Sequence, residues 1–207
     1  MDLLLKNIAD LNININENKN YIYYNEIINK NGDRYNYLLN NNISLDNFSS
    51  HSPSCLNLYN VFDSLNITDN DSILDIGSGK GFALFIFTLF KFKKIGGVEI
   101  NKIDYDICKE NINKLGLTDK ISIINSDILE FNNFDDYNYF YFFNPFNEEI
   151  FSKIIETISN LGNSSTIIYK NIHEKDIEIL ERHHFFLYKI IKGEERDYYV
   201  YKFLFSC

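Results

Sequence analysis

Asp75, Gly77, Gly79 and Gly81 occupy alternate positions in the stretch SILDIGSGKGF, Ser72 to Phe82, and a second acid, Glu99, closes GGVEI about twenty residues later. Glycines without a Cβ leave bare main chain for a ligand to lie against. The N–H groups of a helix starting just beyond them offer donors to an acceptor atom. A carboxylate at Glu99 can accept from both hydroxyls of a ribose, each bond contributing on the order of 1.5–3 kcal/mol when charged. These residues therefore suit the binding of a ligand built on a nucleoside. The spacing excludes two common ones. In the dinucleotide fingerprint the third glycine would fall at Phe82, and a phosphate-binding loop needs a lysine after its last glycine, whereas Lys80 precedes Gly81.

Two further places carry reactive or hydrogen-bonding groups. Asp127 stands in NSDIL, where it can either cap a helix or accept from a ligand amine. Asn144, Pro145 and Phe146 follow the aromatic run Tyr137 to Phe143. The proline there ends strand pairing, and the asparagine carbonyl can accept the N–H groups of an amine.

The elements that must hold these residues are read from hydrophobic period. From Ser72 onward strands and helices alternate, which predicts an α/β fold, Rossmann-like and doubly wound on a mainly parallel sheet. The strands are expected at Ser72–Ile76, Lys94–Ile100, Ile121–Asn125, Tyr137–Phe143, Ser165–Lys170, Phe185–Ile191 and Asp197–Phe205. The helices between them are expected at about Gly79–Phe92, Lys102–Leu115 with Gly116 as C-cap, Glu148–Leu161 and Glu174–Arg182. The turn Lys192 to Glu195 is too short for a crossover, so the seventh strand must run antiparallel to the sixth. Upstream, asparagine-rich sequence with helical spacing at Leu3, Leu4, Ile8 and Leu11 predicts a small helical cap over residues 1–58, followed by the sheet domain over 59–207. A helix from Leu56 to Leu65 joins them. In such a sheet ligands bind beyond the carboxyl ends of the strands, where all the residues named above fall.

The D-x-G-x-G-x-G pattern resembles motif I of the class I S-adenosylmethionine-dependent methyltransferases. Membership of that superfamily implies seven strands ending in an antiparallel hairpin, and S-adenosyl-L-methionine as cofactor. It further implies that Asp75, Gly77, Gly79 and Gly81 line the methionine end, and that Glu99 holds the ribose. Asp127 would accept from the adenine amino group, with Ile100 and Ile128 on the ring faces. By the same resemblance Asn144, Pro145 and Phe146 correspond to motif IV beside the transferred methyl. They lack the second proline of many nucleobase amino methyltransferases, and an Asn-Phe variant of this corner also occurs in non-SET lysine methyltransferases. The chain is most similar to small bacterial methyltransferases reading GSGKG, GVE and YFFNPF, over about Ser52 to the C-terminus, including Tyr169-Lys-Asn171. For the proton of the acceptor, Tyr141, His51 and His173 are the candidate bases.

Composition bears on the acceptor. A chain of 207 residues, 45% hydrophobic and 16% aromatic without tryptophan, can bury one sizeable core. A net charge of -9 supplies no basic excess to displace counterions from a phosphate backbone. The expected acceptor is therefore an amine of a protein or small molecule, with nucleic acid the disfavoured alternative and a non-catalytic binding module another. Lys91, Lys93 and Lys94 read as a solvated helix end. Cys55, Cys108 and Cys207 have no metal or redox spacing, and no metal site is expected. With no secretory leader and no apolar run of membrane-spanning length, the sequence reads as cytoplasmic.

Overall fold

The computed structural model describes residues 55–114, 116–143, 146–193 and 196–203. The expected cap therefore lies almost wholly outside the described residues, as do Asn144 and Pro145. Among the described residues the order is α1 (Cys55–Asp63), β1 (Ser72–Ile76), α2 (Phe82–Phe87), β2 (Lys94–Glu99), α3 (Lys102–Lys114), β3 (Ile121–Asn125), β4 (Tyr139–Phe143), α4 (Glu148–Ser159), β5 (Ser165–Lys170), α5 (Glu174–Arg182), β6 (Phe186–Ile191) and β7 (Tyr198–Phe203). One seven-stranded sheet carries them in the order β3-β2-β1-β4-β5-β7-β6. Pairing is parallel from β3 through β5, and β7 lies antiparallel between β5 and β6. The Rossmann-like α/β fold and its final hairpin are as the sequence predicts.

Side chains alternate across the strands and split the core in two. On one face Ile73, Ile95, Tyr139, Tyr141, Ile168 and Val200 meet apolar residues of α1, α2 and α3, including Phe62, Phe87 and Ile112. On the other, Leu74, Val98, Phe140, Phe142 and Ile167 meet α4 and α5 through Phe151, Ile155 and Leu180. Without tryptophan, Tyr and Phe fill both layers. Phe62 packs edge-on to Phe87 at 4.8 Å between ring centroids, and Phe142 stacks on Tyr169 at 5.6 Å. Such ring pairs add about 0.5–1.5 kcal/mol beyond the area they bury.

Several boundaries differ from the expectation. α2 ends at Phe87 rather than near Phe92, because its six residues are all buried and the chain tightens into turns at Thr88 to Phe90 instead of exposing a polar face. β4 starts at Tyr139, two residues late. Asn138 instead latches the sheet end, its Oδ1 accepting from Ser72 N–H at 2.8 Å and its Nδ2 donating to Asp71 at 2.7 Å. Short 3-10 turns at Ile128–Glu130 and Phe134–Asp136 occupy the span before it. α3 closes as predicted, with Gly116 at φ 62° and Leu117 N–H reaching back to the Ile112 carbonyl at 3.0 Å. α1 runs across position 58, so the expected division at 58/59 falls inside a helix. No helix among the described residues is long and apolar enough to cross a membrane.

Candidate active site

β1 ends in the glycine turn because residues 77–81 must leave the sheet, cross its edge and enter α2 within five positions. Gly77, Gly79 and Gly81 all take positive φ, at 83°, 52° and 89°. Gly81, which caps α2, is the most constrained. A Cβ there would collide with the Cys108 Sγ of α3, so the loop lies directly on that helix. At Gly79, by contrast, a Cβ would meet nothing within 4 Å among the described residues.

Glu99, the last residue of β2, closes the turn. Its Oε2 accepts from Gly79 N–H and its Oε1 from Asn101 N–H, both at 2.7 Å. One carboxylate thereby fixes the loop after β1 and the entry to α3. It is only 9% exposed, and each oxygen keeps a second lone pair for a ligand hydroxyl. Asp75 lies on β1 beside Gly97 of β2 and Tyr141 of β4. Burial, then the charge of Glu99, pushes the Asp75 carboxyl well above the usual carboxylate range. Neither acid pairs with a described lysine, arginine or histidine.

That pairing tests the expected cofactor. Two buried acids on neighbouring strands, without a cationic side-chain partner among the described residues and with Glu99 bonded to the glycine loop, form a set suited to a cationic ligand bearing hydroxyls. A sulfonium carrying a ribose fits that description. Burial and the same two acids push the Cys108 thiol up to about 12, which makes it a packing residue and not a nucleophile.

The remaining expected residues are placed as follows. Asp127 caps the turn after β3, with Oδ1 accepting from Leu129 N–H at 3.0 Å. This is the capping role the sequence left open, and it leaves Oδ2 for a ligand. Ile100 stands 68% exposed just beyond Glu99, whereas Ile128 is buried in the core shared with Val98 and Phe131. The apolar surface presented at this end also includes Ile103 and Leu129, both exposed. Sequence reasoning passed over these two; the signal available was their adjacency to Ile100 and Asp127. Phe146 packs partly buried against the α4 and α5 core, and Asn147 caps α4 by accepting from Ile150 N–H at 3.0 Å. Asn144 and Pro145 lie outside the described residues.

Of the candidate bases, Tyr141 is unsuited to that role. Burial, together with the neighbouring Tyr198 and Asp75, raises its hydroxyl well above the usual phenol range. His173 begins α5, its N–H donating to Asp176 at 3.3 Å, and His51 lies outside the described residues. Lys170, quoted with Tyr169 and Asn171 in the resemblance but given no role, is the last residue of β5, 3% exposed and in register with Phe143.

Comparison with known proteins agrees with this geometry. The fold matches an RNA methyltransferase from Salinibacter ruber in complex with S-adenosyl-L-homocysteine, at 12% identity and a TM-score of 0.57, over 70% of this chain and 88% of that one. A SAM-dependent methyltransferase from Aquifex aeolicus matches at 18% identity and a TM-score of 0.56, over 73% and 93%. The B. subtilis M1A22 tRNA methyltransferase matches at 22% and 0.56, over 70% and 64%. At these identities the likeness establishes the shared fold. A family model described as ribosomal RNA adenine dimethylase matches residues 48–191, from ahead of α1 to the end of β6 and across every loop of the site. A match over that much of the sequence, on this sheet and around this cradle, means that the chain belongs to the ribosomal RNA adenine dimethylase family and is an S-adenosylmethionine-dependent methyltransferase.

Proposed function

We propose that the acceptor is the exocyclic amine of an adenine in RNA. The observation that carries this reading is the family match over residues 48–191, which includes both the glycine turn and the Asn144-Pro145-Phe146 corner. It reverses the expectation that nucleic acid is disfavoured. A net charge of -9 is an average over the chain, and association with a polyanion depends on where cations sit. β6 runs parallel to β5, so its hairpin to β7 lies at the carboxyl edge of the sheet. Lys192, paired with Asp197, and Arg196, bonded to Asn171, lie on that edge, and Lys80 lies in the glycine turn.

When bound, S-adenosylmethionine supplies an electrophilic methyl group on a sulfonium. Glu99 would accept the ribose hydroxyls on the lone pairs that its backbone partners leave open. Asp127 would accept from the adenine amino group and exposed Ile100 would cover the ring, whereas Ile128 is buried in the core. Asp75, Gly77, Gly79 and Gly81 line the methionine end. Asn144 and Pro145, with Phe146 after them, would by the resemblance supply the acceptors for the N–H groups of the target amine. Rate then comes chiefly from alignment in a dry corner, which is worth several orders of magnitude in well-oriented systems.

The test is transfer of labelled methyl from S-adenosylmethionine into ribosomal RNA, protein and metabolite fractions, followed by nucleoside digestion and mass spectrometry. Methylated adenosine in the RNA is expected. Label confined to protein or metabolites would overturn the reading and return the acceptor to the class first expected.

A further inference from the structure

The outermost strand pair carries exposed aromatic rings that neither the cofactor cradle nor the core uses. On β6, Phe186 is 43% exposed and Tyr188 54%. Phe186 pairs in register with Lys202 of β7, and the Lys202 ammonium stands 3.9 Å from the Tyr188 ring centroid, so the three side chains share one face of the sheet. Lys189 lies opposite Val200 on that same face, its Nζ donating to the Ser64 carbonyl just beyond α1 at 3.4 Å. Leu187 and Ile190 are exposed as well, but they pair with Tyr201 and Tyr199 and belong to the other face. Among the described residues neither Lys189 nor Lys202 forms an ion pair with a carboxylate.

The strand itself argues against the commonest use of an exposed edge, the addition of a further strand. Its register shifts between Leu187 and Lys189, and a bulge with a lysine beside it blunts an edge. A protein partner would favour a patch depleted of lysine. Rings interleaved with ammonium groups match a single-stranded nucleic acid instead: its bases stack on aromatic faces whatever their sequence, and its phosphates meet the cations. From Ile191 at the carboxyl edge, β6 leads back to Phe186 over about 17 Å, so this face continues from the acceptor edge along the sheet. We propose that Phe186, Tyr188, Lys189 and Lys202 form a stacking platform for a single-stranded stretch of the RNA substrate beyond the nucleotide that is methylated. This inference rests on the proposed RNA acceptor and adds where the rest of that strand lies.

The experiment follows the fluorescence anisotropy of a short labelled single-stranded RNA, and of the same RNA as a duplex, across a salt series with the wild type, F186L/Y188L and K189Q/K202Q. Leucine keeps apolar bulk and removes the ring faces; glutamine keeps length and removes the charge. The wild type is expected to prefer the single strand. F186L/Y188L should lose about tenfold or more in affinity, and K189Q/K202Q should lower the salt slope by about one. Both variants should raise the KM for RNA in methyl transfer while leaving kcat and cofactor affinity within about twofold. Variants that bind and methylate RNA as the wild type does overturn this inference and leave the RNA acceptor standing. A preference for the duplex overturns it too, as does wild-type self-association that F186L/Y188L dissolves, or binding of phosphatidylserine vesicles in place of RNA. Absence of both RNA binding and RNA methylation overturns both readings. If F186L/Y188L does not fold, ultraviolet crosslinking of thiouridine-substituted RNA to the wild type decides: crosslinks within β6 support the platform, and crosslinks only elsewhere end it.

Discussion

The two halves of the sheet's carboxyl edge are built from opposite materials. At β1 and β2 the groups at that edge are carboxylates and bare backbone, with Glu99 clamping Gly79 and Asn101, and Asp75 buried on β1. At β4, β5 and β7 they are an ammonium and ring faces, with Lys170 between Phe143 and Tyr198. One half is acidic and clamps bare backbone, and the other is aromatic around a buried lysine. On the proposed reading, the carboxylate half is the one that would hold the cofactor. The contrast also predicts that the two halves can be damaged separately.

The largest separable effect is expected at Glu99. E99A removes the acceptor of two backbone N–H groups and of the ribose, so S-adenosylmethionine affinity should fall by about a hundredfold, near 3 kcal/mol, read by calorimetric titration. Unchanged affinity would remove the cofactor half from this edge. G81A combines a positive φ with the collision against Cys108 and should cost about 1–3 kcal/mol of stability. Chemical denaturation of G81A, C108A and the double variant checks it, since C108A relieves only the collision. If C108A rescues nothing, the contact between loop and α3 is not what limits the turn.

On the other half, F143L should reduce methyl transfer about threefold to tenfold while leaving cofactor affinity within about twofold, because Phe143 immediately precedes Asn144 and gives one ring face to Lys170. An equal loss of cofactor affinity would show that the halves are not separable. A finer distinction is available from pH. The folded protein raises the Asp75 carboxyl, so its protonated form is the one the fold favours. The stability from that preference is complete below the ordinary aspartate range and is lost as pH rises through the raised value. Melting temperature of the cofactor-free protein should therefore fall across that window, and D75N should flatten the fall. S-adenosylmethionine should stabilise more at the high-pH end, where Asp75 is ionised. The smallest effect concerns the Cys108 thiol, pushed up to about 12. It should react with a thiol reagent at pH 8 far more slowly in the native protein than in denaturant, and similar rates would contradict the packing of α3 on the loop.

Much of the fold can be read directly from residue period. β1, β3, β5 and α5 have their predicted ends, because each is bounded by a turn residue or a sharp change from apolar to polar. The expected end of α2 at Phe92 failed for the opposite reason: Phe82 to Phe90 is apolar nearly throughout, so nothing in its period marks the last turn. Asn138 reads as a polar residue inside a strand until its two side-chain bonds to Asp71 and Ser72 show it to be a latch between segments far apart in the chain.

The site divides along the same line. The glycine turn and Glu99 lie about twenty positions apart in one β-α-β unit, so strand, turn and strand bring them together by local rules, and their types alone announce a nucleoside cradle. Lys170 gives no such signal, since a lysine at the end of an apolar strand ordinarily reaches solvent. Its position between Phe143 and Tyr198 depends on β7 inserting between β5 and β6, a pairing across almost thirty residues that the short turn made antiparallel but did not assign to a neighbour. Local spacing sets which backbone can bend and which carboxylate follows it. Only the order of strands in the finished sheet decides which side chains become neighbours.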